Sequence, residues 1–308
     1  MTNIKTRTRE TSTAQTILRK KRTREASSAE AILSNFLGRP TRAVLVTISM
    51  LAVLFPLYWV VTSSLKLEQD YLANPPVLIP GQFTLASFAD IFTNSQLGST
   101  FLSSLTIAAV TTLISVAIGS MAAYALARGP IGRKAKNLFG LWFLVQKMYP
   151  AIATAIPIYM VMRALKLMDT QFALIVMNTS FNLPMVIWLM MGFFEQLPYS
   201  LEESGMLDGA GFYRRYWDII LPITKPGLIA SAILTFVATW NEFLFAVILT
   251  IKKTKTLPVV IAGFITDRGL DWGPMAAASI VMLVPVVILA FALQRDFVQG
   301  LAMGAVKG

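Results

Sequence analysis

Residues 202–222 read EESGMLDGAGFYRRYWDIILP. Two glutamates, three glycines, two arginines and a cluster of aromatics stand between two long apolar runs. What this stretch does depends on what the flanking runs are. The chain has 308 residues, of which 55% are hydrophobic and 14% charged, against about 25% charged in an ordinary soluble domain. Mean hydropathy is +0.63. A soluble fold needs a polar shell that this composition does not supply, so the reading is a polytopic membrane protein. Cysteine and histidine are both absent. That excludes a disulfide framework, a thiolate metal site and any Ser-His or Cys-His triad.

Apolar runs fall at about 43–65, 99–127, 138–162, 172–194, 228–250 and 275–293. At roughly 1.5 Å per residue each can cross a hydrocarbon core about 30 Å thick. The fold class expected is therefore all-α, with six transmembrane helices. Pro150 and Pro157 in the third run and Pro184 in the fourth predict kinks that neighbouring helices satisfy. The boundaries expected are a basic arm, 1–42, and a transmembrane domain, 43–308. In the arm, Lys5, Arg7, Arg9, Arg19, Lys20, Lys21, Arg22, Arg24, Arg39 and Arg42 face only Glu10, Glu25 and Glu30. It reads as a solvated cytoplasmic arm; the alternative is a surface helix over about 13–37. The first run is too long for a cleaved signal peptide and reads as a retained anchor.

Lysines and arginines set the orientation. With the N-terminus inside, the cytoplasmic side collects the arm, then Arg128, Arg133, Lys134 and Lys136, then Arg214, Arg215 and Lys225, then Arg295 and Lys307. The outer side collects fewer: Lys66, Arg163, Lys166, Lys252, Lys253, Lys255 and Arg268. Both termini are thus expected in the cytoplasm of a multi-pass inner-membrane protein. The net charge of +11 then faces anionic lipid, and nucleic acid is not expected as a partner.

On this topology residues 202–222 lie in the cytoplasm between spans four and five. Leu201, Glu202, Glu203, Met206 and Leu207 suit a short helix. Gly209 and Gly211 supply a break. A second short helix carries Phe212, Tyr216, Ile219 and Ile220 on one face, with Tyr213 and Trp217 adjoining. The acids Glu202, Glu203 and Asp208 would be repelled by anionic lipid, which favours docking on a protein over lying in the interface.

The stretch resembles the EAA motif of ATP-binding-cassette importer permeases. Glu203 begins the motif, Gly209 follows at its spacing, and Ile219, Leu221 and Pro222 end it; Asp208 and Ala210 flank the glycine as in that family. Ser204 and Gly205 stand where alanines are usual, and Gly205 would loosen the first helix by about 1 kcal/mol. The likeness extends over about 43–308 and is closest to the smaller six-span permease of the carbohydrate-importing, maltose-type branch. Pro56-Leu57-Tyr58-Trp59, Ala122 to Arg128, Trp240-Asn241-Glu242-Phe243 and Gly304 to Gly308 also fit.

The resemblance implies a coupling helix that docks on a separate ATPase. Glu203 would make polar contact, Asp208 and Gly209 would form the bend, and Phe212, Tyr213, Tyr216 and Trp217 would provide the packing surface ahead of Leu221 and Pro222. It implies a homologous permease partner, an ATPase dimer and an extracytoplasmic solute-binding protein. This chain would catalyse nothing and hold no cofactor; ATP and magnesium belong to the partner ATPases, since no phosphate-binding G-x-x-x-x-G-K-[ST] stretch is present. The outer loop, 251–274, resembles the one that probes the binding protein.

Ionisable groups inside spans usually face a cavity or a partner. Gln146, Lys147, Asn241 and Glu242 are therefore candidate substrate-path residues, with Trp240 as a platform for a sugar ring. The competing reading is helix-to-helix hydrogen bonding, including a Lys147–Glu242 pair. Lys147 would bias the cargo toward acidic oligosaccharides. The alternatives are a small anion such as a glycerol phosphodiester in the same family, or an ion-coupled secondary transporter. Neither an internal repeat nor paired carboxylates for intramembrane catalysis appear in the spans.

Overall fold

The computed structural model describes residues 39–93, 97–267 and 269–305. Positions 1–38 of the basic arm, with the helix considered for 13–37, lie outside the described residues. The chain divides into units 1–59 and 60–308. The described part of the first is helical, the opening portion of α1, Arg39–Ser64.

The second unit holds α2 (Ala86–Thr93), α3 (Leu97–Arg128), α4 (Arg133–Met148), α5 (Ala155–Ala164), α6 (Gln171–Gln196), α7 (Ser200–Leu207), α8 (Phe212–Ile223), α9 (Lys225–Trp240), α10 (Leu244–Leu249), α11 (Leu257–Ala262) and α12 (Trp272–Ala305). A two-residue antiparallel ribbon pairs Ile265–Thr266 with Gly269–Leu270. The protein is an all-helical membrane protein. α1, α3, α6 and α12 are each long and apolar enough to cross a membrane, and the bent pairs α4–α5 and α8–α9 raise the number to six if each pair is one span.

Two expected spans are not continuous. The third run bends by 90° between α4 and α5. Pro150 has no N–H to give and disfavours helical geometry in the residue before it. Tyr149 accordingly turns extended, with ψ at 127°. The fifth run ends as helix at Trp240 and restarts at Leu244. There the Glu242 carboxylate accepts from the backbone N–H groups of Phe245 and Ala246, at 2.7 and 3.1 Å, and so caps the start of α10.

Between helices in a bilayer, lipid is as apolar as leucine, so close packing and hydrogen bonds drive association. The sequence of α3 is built for that. Thr111, Ser115, Gly119 and Ala123, four apart, are all buried and allow α6 and α9 to approach. A β-carbon on Gly119 would stand 2.6 Å from Val186 Cγ1, and one on Gly227 would stand 2.6 Å from the Phe193 ring. Across α6, Asn182 donates to the Asn178 carbonyl at 2.9 Å and to Thr239 Oγ1 on α9 at 3.3 Å.

Candidate coupling site

α7 and α8 form the bent loop between α6 and α9, and α8 meets α9 at 79°. Within α7, Glu202 and Gly205 are three apart and share the inner face; both are buried. A β-carbon on Gly205 would lie 2.6 Å from Ile219 Cδ1, which gives the glycine a packing reason. Gly209 has φ of +75°, in the left-handed region that side chains resist. Beyond it, α8 contains a wider π-helical turn, Arg215–Ile220. It turns Tyr216 and Ile220 inward and leaves Tyr213 and Trp217 exposed.

The inner face closes on one carboxylate. Glu202 is 1% exposed. Its Oε2 accepts from Tyr124 Oη at 2.9 Å and lies 3.6 Å from Arg215 Nε, while its Oε1 lies 3.4 Å from Arg128 Nε. Arg128 also donates to the carbonyls of Phe194, in the last turn of α6, and of Leu197, just beyond it. Arg215 donates to the Ala210 carbonyl at 3.1 Å, holding the turn after Gly209. Tyr216 and Ser120 share a 2.8 Å hydroxyl contact. The Tyr124 ring packs on Phe194, Phe212 and Tyr216, with centroids 5.6, 4.7 and 5.2 Å away. The loop is thus tied to the C-terminal ends of α3 and α6.

The motif residues divide by side. Glu203, Asp208, Gly209, Tyr213, Trp217 and Pro222 are exposed; Phe212 and Leu221 are half-buried. Tyr216 and Phe212 do not form an outer packing surface with Tyr213 and Trp217. They turn inward, because Tyr124 and Ser120 offer them an aromatic and a hydroxyl partner. Leu207, 89% exposed, joins the outer face instead. Spacing points to Glu203, whereas the buried ion-pair centre is Glu202, with Tyr124, Arg128 and Arg215. The available signal was the i, i+3 pairing of Glu202 with the small Gly205.

The candidate path residues are not brought together. Trp240 is enclosed by its own chain at 2% exposure. It stacks on Phe236 and donates from Nε1 to the Met282 carbonyl at 2.9 Å, so it offers no face to a sugar. Asn241 donates back to Val237 at 2.8 Å, and Glu242 is occupied as the cap of α10. Gln146 reaches the Ser180 carbonyl at 3.5 Å, the acceptor that Pro184 cannot serve four residues on. Lys147 is exposed in the last turn of α4. No Lys147–Glu242 ion pair occurs among the described residues.

The loop is thus tied inward at a buried carboxylate and leaves Leu207, Tyr213 and Trp217 uncovered on its outer side. Residues 115–302 match the family described as binding-protein-dependent transport system inner membrane component. The chain is 35% identical over 279 residues to a probable ABC transporter permease protein, y4oR, of Sinorhizobium fredii, covering 89% of this chain and 99% of that one. It is 36% identical over 269 residues to the trehalose transport system permease protein SugB of Mycobacterium tuberculosis, covering 86% and 97%. Its fold is similar to that of a chain in the crystal structure of a bacterial ABC transporter that imports the acidic polysaccharide alginate. There the TM-score is 0.71 at 21% identity, over 84% of this chain and 98% of that one. The chain belongs to the binding-protein-dependent ABC transporter permeases. It is a multi-pass inner-membrane component of an ABC importer that works with a binding protein, and it is not itself catalytic.

Proposed function

We propose that this permease forms half of the translocation pathway of an ATP-driven carbohydrate importer, paired with a homologous permease and an ATPase dimer. The two-sided loop carries this reading: Glu202 locks it to α3 through Tyr124 and Arg128, while Leu207, Tyr213 and Trp217 stand uncovered on its outer face. In this reading both termini are cytoplasmic, and the loop docks on the ATPase with Glu203, Asp208 and Gly209 at its tip. ATP and magnesium are held by the ATPase subunits. The 251–274 loop faces an extracytoplasmic solute-binding protein. A carbohydrate cargo is supported by the relative that is a trehalose system permease, and the exposed Lys147 favours an acidic oligosaccharide.

Affinity purification of the chain from membranes, with every co-purifying subunit identified by mass, tests the assembly. A second permease and a P-loop ATPase are the expected companions. Recovery of this chain alone, transporting in liposomes without ATP, would replace the reading with an ion-coupled transporter. For the cargo, Lys147→Met is expected to depress uptake of acidic sugars more than of neutral ones; equal effects would remove the acidic preference.

A further inference from the structure

Asp169 lies in the short connection between α5 and α6, with φ of +57°. Its carboxylate accepts from the backbone N–H groups of Ile251, Lys252, Lys253 and Thr254 at 3.0–3.2 Å, and from Thr254 Oγ1 at 3.0 Å. Its own N–H donates to the Leu249 carbonyl at 2.8 Å. A run of successive backbone N–H groups is an anion-binding concavity, and here the anion is a side chain of the same protein, 82 to 85 positions away. The far end of the segment is held as well, because the Leu257 N–H donates to Ser104 Oγ on α3 at 2.9 Å.

Between these two fixings the chain alternates. Thr254 and Thr256 are buried, while Lys252, Lys253 and Lys255 are exposed. None of the three lysines enters an ion pair among the described residues. They border a cavity of about 530 Å³ lined also by Ser99, Thr100, Val260 and Phe264. Asp169 stays an anion, but its oxygens are occupied by backbone donors and the Thr254 hydroxyl, and no lysine ammonium of the segment pairs with it among the described residues.

We propose that these lysines form a preset basic cup that receives an acidic patch of the extracytoplasmic binding protein, and that Asp169 is the positioning residue that fixes the cup's shape. This rests on the reading given above that the 251–274 loop faces outward toward that protein. Charge complementarity selects the partner's chemistry. Paired charges across such a contact chiefly raise the association rate and are weakened by salt.

The test uses the complete transporter in liposomes, with ATP hydrolysis measured against binding-protein concentration at low and at physiological ionic strength. The wild-type half-saturating concentration is expected to rise about tenfold with salt. Lys252→Glu/Lys253→Glu/Lys255→Glu should raise it at least as much at low salt and remove the salt dependence. Asp169→Asn, checked for wild-type elution and for remaining folded at the assay temperature, should raise half-saturation several-fold while the rate at saturation changes less than twofold. A salt-independent wild type, or lysine variants that saturate like wild type, would overturn the cup. An Asn variant that loses saturated rate and half-saturation alike would overturn the positioning role. A wild type that the binding protein never stimulates would remove the proposed function, and the cup with it.

Discussion

Tyr124 and Glu202, 78 positions apart, are joined by a 2.9 Å hydrogen bond from phenol to carboxylate, both side chains being almost wholly buried. The carboxylate also balances Arg128 and Arg215. Removing one partner of a buried ion pair leaves the other uncompensated and costs about 3–5 kcal/mol. Losing a hydrogen bond to a charged group costs about 1.5–3 kcal/mol. Glu202→Gln is therefore expected to lower stability most and Tyr124→Phe less. Glu203→Gln, at an exposed position, should have no measurable effect. Thermal unfolding of the purified protein in detergent gives the order; equal losses at 202 and 203 would contradict it.

Gly205 faces only the end of Ile219 within 3 Å, and a flexible side-chain end can move. Gly205→Ala should stay within about 1 kcal/mol of wild type, because the gain in helix propensity is of similar size. Gly205→Val adds bulk where there is no room and costs about 1–3 kcal/mol. Ile219→Val removes the opposing Cδ1 and should recover part of that loss. A double variant no more stable than Gly205→Val alone would show that the crowding lies elsewhere.

At Gly209, a left-handed backbone conformation costs an ordinary side chain about 1–2 kcal/mol, and asparagine less. Gly209→Val should therefore disturb the loop tip more than Gly209→Asn. In the reconstituted importer, cargo-stimulated ATP hydrolysis should fall several-fold for valine and remain near wild type for asparagine. The reverse order would mean that the tip's shape is not what the ATPase reads.

Partial desolvation pushes the Asp169 carboxyl up, but the backbone N–H groups of Lys253, Ile251 and Lys252 and the Thr254 hydroxyl outweigh it and hold the group well below the usual carboxylate range. A depressed folded-state pKa gives stability that is complete above the unfolded value near 3.8 and is lost as pH falls through the folded one. Between pH 5 and 8 the difference in melting temperature between wild type and Asp169→Asn should stay constant, and below about pH 4 it should narrow. A difference that changes across the neutral range would point to another titrating group.

How much could be read from residues alone follows from the kind of information each feature needs. The uninterrupted runs of α3, α6 and α12 are visible as apolar length. Pro150 is visible too, yet a kink and a 90° break look alike in sequence, because the choice depends on what the neighbours can satisfy. Asn241 and Glu242 look like polar groups aimed at a path. Their hydrogen bonds are instead spent within two turns of helix, a local solution that hydropathy does not register. The loop's outer tip follows from spacing, since exposed residues at a bend need no partner in the chain. Its inner lock was hidden for the opposite reason: Tyr124, Arg128 and Arg215 become neighbours of Glu202 only once α3, α7 and α8 have met.

The 79° angle between α8 and α9 fixes how motion would pass through the elbow. A displacement of α8 along its own axis is nearly perpendicular to α9, so little of it slides α9 lengthwise and most of it swings that helix sideways. Because Tyr216 grips Ser120 and Glu202 grips Arg128, the same stroke pulls on α3 as well. If the loop docks on an ATPase as proposed, the elbow would act as a bell crank with its pivot inside the bundle, turning a push on the loop into torque on two helices at once.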